Sequence, residues 1–187
     1  PPARLLVLPP WQARPSASSA TVAERDAASR DSAASRLGQA VHRVLEWAVR
    51  QEHQQKAAWS LETLCSAAAR EFGAEVQACL QVTRAILGSA SCQRFFDTRQ
   101  LIWAANEVSV VDAGESLRID RLVHRRAIDG EPESWWVLDY KLSHAPDQLG
   151  AYRQQLARYR QVVSRWQPGA VVRSAFITGS GAVIETD

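Results

Sequence analysis

The sequence has no methionine at all. An open reading frame starts with one, so the expectation is a piece of a longer protein. Lysine is nearly as scarce. Of 22 basic residues only Lys56 and Lys141 are lysines, and the rest are arginine. No run of about 18 apolar residues occurs, which excludes a membrane-spanning helix of the usual length. Residues 1–15 lack the basic n-region and small-residue cleavage site of a signal peptide. The three cysteines, Cys65, Cys79 and Cys92, form no C-x-x-C pair. An odd count at wide spacing argues against disulfides or a thiolate metal cluster, and for buried thiols in a reducing cytoplasm. Neither lysine sits in a Gly-x-x-x-x-Gly-Lys-Ser/Thr phosphate loop, so nothing here hydrolyses a nucleoside triphosphate by that device.

The remaining composition is that of an ordinary soluble domain, with 46% hydrophobic and 22% charged residues over 187 positions. That length fits one domain, or one domain with an appendage. A net charge of +2 does not by itself announce a polyanionic partner. Arginine suits bidentate phosphate contacts, though the bias is equally a habit of genome composition.

Residues 1–34 are rich in Pro, Ala, Ser and Arg and read as a linker from an upstream region, in which Leu5-Leu6-Val7-Leu8 could add a short strand. From Ser35 the pattern turns helical, with Leu37, Val41, Val44, Leu45 and Ala48 at helical spacing. Residues 60–72 and 74–87 read as two further helices stopped by Gly73 and Gly88, and 91–98 as a short fourth. The period then changes. Residues 101–111, 116–123 and 135–142 read as strands, the last one central. Residues 149–166 form an amphipathic helix on Leu149, Tyr152, Leu156, Tyr159, Val163 and Trp166. Residues 170–178 and 182–185 close the chain as a hairpin. This order implies an α/β fold, a mixed sheet flanked by helices with an N-terminal helical portion.

Within the apolar run Trp135-Trp136-Val137-Leu138-Asp139-Tyr140-Lys141, a carboxylate and an ammonium stand two residues apart. On a strand they share a face, and neither is readily buried alone. Asp120 lies on the preceding strand. If the two strands pair, both carboxylates reach one end of the sheet. Two carboxylates suit a hard divalent cation such as Mg²⁺, and a lysine beside them suits charge building on a phosphoryl oxygen. The same spacing is equally met by a cross-strand charge pair.

Five segments resemble, in order, the motifs of the RecB-like branch of the PD-(D/E)xK nuclease family. Leu37-Gly38-Gln39-Ala40-Val41-His42 resembles its Gly-x-x-x-His helix, and Glu107 a carboxylate on its first strand. Arg118-Ile119-Asp120-Arg121-Leu122 resembles its Ile-Asp-Arg strand, and Val137-Leu138-Asp139-Tyr140-Lys141 its Val-Asp-Tyr-Lys strand. Tyr152-Arg153-Gln154-Gln155-Leu156-Ala157-Arg158-Tyr159 resembles its Gln-Leu-x-x-Tyr helix. The resemblance covers residues 35–187 and implies a restriction-endonuclease-like fold. It makes His42, Asp120, Asp139 and the Tyr140 carbonyl ligands of Mg²⁺, for which Mn²⁺ can substitute. It makes Lys141 the catalytic lysine, with Gln155 and Tyr159 completing the site from the helix. Glu46 is either an orienting residue or a solvated one, and Glu107 either an outer ligand or an ordinary strand residue. His124, Arg125 and Arg126 read as a solvated turn or as phosphate contacts. Trp135 and Trp136 read as packing or base-stacking residues. The family often has a small residue where Leu117 stands and a hydroxyl residue where Leu142 stands.

The absence of cysteine after Cys92 sets the chain apart from relatives with an iron–sulfur cluster. The resemblance is to the C-terminal nuclease domain of AddA or RecB-type (UvrD-like) helicase–nucleases. It implies a DNA exonuclease in double-strand-break repair and recombination. The strand would come from duplex ends through helicase domains upstream in the same chain, and a second subunit would complete an AddAB- or RecBCD-like complex. The competing expectation is a catalytically silent domain kept for DNA binding or subunit docking.

Overall fold

A computed structural model describes residues 33–54, 59–128 and 130–186. Residues 1–32, which hold most of the expected linker and all of Leu5-Leu6-Val7-Leu8, lie outside the described residues. These fall into two compact units, one ending at Ile86 and the other beginning at Leu87.

The first unit is helical: α1 (Ala33–Gln54), α2 (Leu61–Phe72) and most of α3 (Val76–Gly88). Helix α1 starts two residues before the expected Ser35, and Ala40, Val41, Val44, Leu45 and Val49 are its buried stripe. Ser60 caps α2 by accepting the Thr63 N–H at 3.2 Å. Gly73 ends it in the left-handed region (φ 66°), which a residue without Cβ adopts at least cost. Its carbonyl accepts from Arg36 Nε at 3.1 Å. The Glu75 carboxylate caps α3 through the Gln77 and Ala78 amides. Burial sets the Cys79 thiol well above its ordinary range, at about 12, and Cys65, Cys79 and Cys92 are all buried and unbridged.

The second unit is a five-stranded sheet in the order β1 (Leu101–Asp112), β2 (Glu115–Arg125), β3 (Ser134–Lys141), β4 (Val171–Thr178), β5 (Val183–Thr186). Strands β1 to β3 form an antiparallel meander. Strand β4 runs parallel to β3, which requires a crossover, here supplied by α5 (Gly150–Trp166). Strand β5 pairs antiparallel with β4. The sheet is therefore mixed, with β3 at its centre and buried along nearly its whole length, as a strand covered on both faces must be. The expected short helix over 91–98 is a single turn, α4 (Ala90–Gln93), followed by a turn and a 3-10 segment, Thr98–Gln100.

Strand alternation sorts β3. Trp135 meets Trp166 of α5 with ring centroids 5.0 Å apart, so odd-numbered residues face α5. Trp136 meets Phe95 at 5.0 Å, so even-numbered residues face the other way. Leu156, Tyr159 and Val163 of α5 pack with Val137, Leu122 and Phe176 in the core beneath the helix. Each such buried side chain contributes on the order of 1.5–3 kcal/mol. Trp135 and Trp136 are packing residues, 7% and 0% exposed. No helix among the described residues is long and apolar enough to cross a membrane.

Candidate active site

Alternation puts Asp139 and Lys141 on the α5 side of β3. Lys141 Nζ meets Asp139 Oδ2 at 2.7 Å, with the aspartate side chain 4% and the lysine side chain 21% exposed. Burial alone would lower the lysine pKa. The Asp139 carboxylate, with help from Asp120, outweighs it and holds the ammonium above its ordinary value. The ammonium also lies 4.8 Å from the centroid of the Tyr152 ring on α5, a cation–π distance. Lys141 is therefore charged at neutral pH and gripped from two sides.

The β2–β3 ladder runs from Arg125–Ser134 to Arg121–Leu138. One step further in that register, Asp120 would oppose Asp139. The ladder stops there, and Asp120 Oδ2 instead accepts the Tyr140 N–H at 2.9 Å. A carboxylate thus takes the place of a strand carbonyl and is held in orientation by the backbone. The Tyr140 side chain points to the opposite face. It is buried there, and burial raises its phenol pKa above the ordinary range. The group of Tyr140 that bonds the Asp120 carboxylate is its backbone amide.

The β1–β2 ladder skips a pair at the corresponding place. Asn106 pairs with Arg121 and Val108 with Ile119, leaving Glu107 opposite Asp120. Glu107 has φ 53°. A non-glycine residue in that region is strained by roughly 1–3 kcal/mol, and such strain gathers at functional sites. Glu107 and Asp120 bring carboxylate oxygens within 4.8 Å of each other, and Glu107 Oε2 meets Arg118 Nε at 2.8 Å. The carboxylate grouped with Asp120 is thus Glu107, while Asp139 is paired with the lysine. Glu107 is the residue that sequence reasoning left undecided. Its match to a first-strand carboxylate was the signal, and its backbone strain could not be read from sequence.

From α5, Gln155 Nε2 donates to the Tyr159 hydroxyl at 2.7 Å. They are i and i+4, hence neighbours on one face. Burial raises the Tyr159 phenol pKa, the Gln155 bond opposes the rise, and the charges of Asp139, Asp120 and Lys141 all act on it. The hydroxyl therefore lies within electrostatic reach of the charged group. His42 sits half-buried on α1, in the helical unit. Glu46 on the same helix is not a solvated residue. It is 6% exposed and bound by Arg43 at 2.9 Å.

The motif resemblance gave Arg121 no task. Its side chain is fully buried and donates twice to the Phe95 carbonyl, at 3.1 and 2.8 Å, and once to Asn106 Oδ1 at 2.7 Å. It braces the residue before strained Glu107 from the face opposite the site. His124 and Arg125 are neither a solvated turn nor free phosphate contacts. They belong to β2. His124 stacks on Trp135 at 4.3 Å and bonds Glu133 at 2.8 Å, while Arg125, 4% exposed, pairs with Glu131 at 2.6 Å.

The donors gathered midway along β1 and β2, Glu107 and Asp120, are hard oxygens of the kind that hold Mg²⁺, Mn²⁺ or Ca²⁺. One is fixed by a backbone amide and the other is held in a strained backbone. This donor set fits a divalent cation. A family model described as the PD-(D/E)XK nuclease superfamily matches residues 18–181. The chain belongs to that superfamily, and its mixed five-stranded sheet with flanking helices is the restriction-endonuclease-like fold. The superfamily is one of metal-dependent nucleases, which suggests nucleolytic hydrolysis with DNA as the substrate class. No curated protein matches the sequence.

Proposed function

We propose that this chain is a Mg²⁺-dependent DNA exonuclease domain and that residues 35–187 form its nuclease domain. The observation that carries the reading is the Asp139–Lys141 pair at 2.7 Å, set beside an Asp120 carboxylate anchored on the Tyr140 amide. A silent domain has no need to keep a half-buried, charged lysine gripped at the edge of its core. The resemblance of 37–42 to the Gly-x-x-x-His helix adds His42 to the metal ligands, along with Asp120, Asp139 and the Tyr140 carbonyl. Glu107 joins them on its proximity to Asp120. Mn²⁺ substitutes for Mg²⁺, and no iron–sulfur cluster takes part.

When bound, a divalent cation polarises the phosphoryl group and lowers the pKa of water. The chain's own residues do the rest. Asp120 presents an oriented carboxylate to the metal. Lys141, fixed by Asp139 and by the Tyr152 ring, offers charged N–H donors to a phosphoryl oxygen as negative charge builds there. The amide of Gln155 occupies a lone pair of the Tyr159 oxygen and leaves the phenol proton to donate, so Tyr159 can hold a second phosphate oxygen.

The motif set supports a place in an AddA- or RecB-type helicase–nuclease. Upstream helicase domains and a second subunit would deliver single strands from duplex ends during double-strand-break repair, in a reducing cytoplasm. The test is digestion of end-labelled single-stranded DNA with Mg²⁺ by the wild type and by Lys141→Ala, Asp139→Ala and Glu107→Ala. Wild-type protein should release products from an end and spare circular DNA, and all three variants should be inactive. Undiminished cleavage by Lys141→Ala would overturn the site. Absent cleavage with intact DNA binding by the wild type would move the reading to a silent binding domain.

A further inference from the structure

Helix α5 carries arginines on two sides, and they are treated differently. On one side, Arg158 Nε meets Asp112 Oδ2 at 2.7 Å and its Nη1 meets Glu115 Oε2 at 2.7 Å. Arg165 Nη2 meets Asp112 Oδ1 at 2.5 Å. Acids of the β1–β2 hairpin neutralise that side. On the other side stand Arg153 and Arg160, seven residues apart and so on one helical line, separated by roughly 10 Å of helix rise. Among the described residues neither has an ion-pair or hydrogen-bond partner for its side chain. Arg160 lines an open groove of about 440 Å³ with Gln161, Ser164, Arg165 and Val172. Arg153 lies one residue beyond Tyr152, whose ring supports Lys141. The unneutralised line thus runs along α5 from beside Tyr152 to beside Tyr159, and at Arg160 it reaches the groove.

We propose that Arg153, Arg160 and the groove beyond them hold the sugar–phosphate backbone of the nucleic-acid strand whose end lies at the Lys141 site. The reading rests on the nuclease function proposed above. It adds where the uncleaved part of the strand runs. Guanidinium groups suit phosphate oxygens, and the Gln161 amide adds a neutral donor. Contacts of this kind fix a strand's position without reading its sequence, which suits an enzyme that digests whatever strand it is given. An acidic protein segment is the competing occupant. It is disfavoured because the line of free arginines starts beside the residues that would act on phosphate.

The test uses the full 187-residue chain and a fluorescent single-stranded oligonucleotide, with EDTA present so that nothing is cut. Anisotropy is followed over a potassium chloride series. Each arginine that ceases to neutralise a phosphate of a single strand should lower the slope of log K against log salt by about 0.7. Arg153→Ala/Arg160→Ala should therefore lower the slope by about 1.4. Arg153→Lys/Arg160→Lys should keep the wild-type slope, as should Arg70→Ala, which removes a charge from α2. An unchanged slope in the double alanine variant overturns the proposal. So does a wild type that binds no oligonucleotide, or a double variant that no longer binds a polyglutamate peptide while keeping the oligonucleotide. Cleavage that depends on Lys141 together with an unchanged slope sinks the groove and leaves the nuclease reading standing. The reverse pair of results sinks the nuclease reading and leaves the groove.

Discussion

The Asp139–Lys141 pair should behave as one coupled unit, and the low lysine content makes this directly measurable. At 2.7 Å and an effective dielectric of about 20, the attraction is roughly 6 kcal/mol before desolvation. Taking the carboxylate, 4% exposed, and the partly wet ammonium out of water returns several kcal/mol of that. The expected coupling free energy from a double-mutant cycle with Asp139→Asn and Lys141→Met is about 2–3 kcal/mol by urea denaturation. Lysine Nζ NMR gives the second readout. The chain has only Lys56 and Lys141, so Lys56→Arg leaves a single signal to titrate. Because the folded pKa of Lys141 lies above its ordinary value, its contribution is fully present below the unfolded pKa. It is lost only as pH rises through the folded one, so stability should not depend on Lys141 between neutrality and about pH 9. In Asp139→Asn the opposing effect of burial gains weight, and the Nζ pKa should fall. A coupling below about 0.5 kcal/mol, together with an Nζ pKa indifferent to Asp139→Asn, would refute the picture of a gripped lysine.

Three further outcomes follow from the geometry. Glu107→Gly should remove the positive-φ strain, leaving stability equal to wild type or up to about 1 kcal/mol higher, while abolishing cleavage, as thermal unfolding and a nuclease assay would show. Tyr152→Phe should retain activity because the ring beneath Lys141 remains, whereas Tyr152→Leu should lower kcat more than it raises KM. Tyr159→Phe should fold normally and lose on the order of 10²-fold in kcat by removing one donor, with a smaller loss in Gln155→Ala.

The sheet was legible because its signals are local. The all-apolar run from Trp135 marks a strand covered on both faces, and β3 lies at the centre with Asp139 and Lys141 on the same side, as a period of two requires. The stripe on α5 likewise fixed which face meets the sheet, so Leu156, Tyr159 and Val163 are buried. What escaped depends on distant partners. The segment after Gln93 has helical spacing, but Arg121 takes the Phe95 carbonyl with two nitrogens, and the chain turns there rather than continuing. No periodicity reveals that a β2 arginine claims that oxygen. The grouping of Asp120 with Glu107 rests on a left-handed backbone at a glutamate, which residue preference argues against. The buried pairings of Glu46 and Arg125 were hidden for a similar reason, since a charged residue reads as solvated until its partner is in place.

The order in which strands join has a consequence for how the site assembles. The meander β1–β2–β3 closes through short connections, so Glu107, Asp120 and the Tyr140 amide can come together through contacts close in sequence. The parallel β3–β4 pairing has to wait for the whole α5 crossover, and contacts of such separation form slowly. Tyr152, Gln155 and Tyr159 arrive only with that crossover. A newly made chain would thus gather the carboxylates proposed to bind metal, with Lys141 beside them, before it acquires the α5 residues proposed to support the lysine and hold phosphate. Cleavage would remain beyond its reach until the last long-range pairing of the fold is complete.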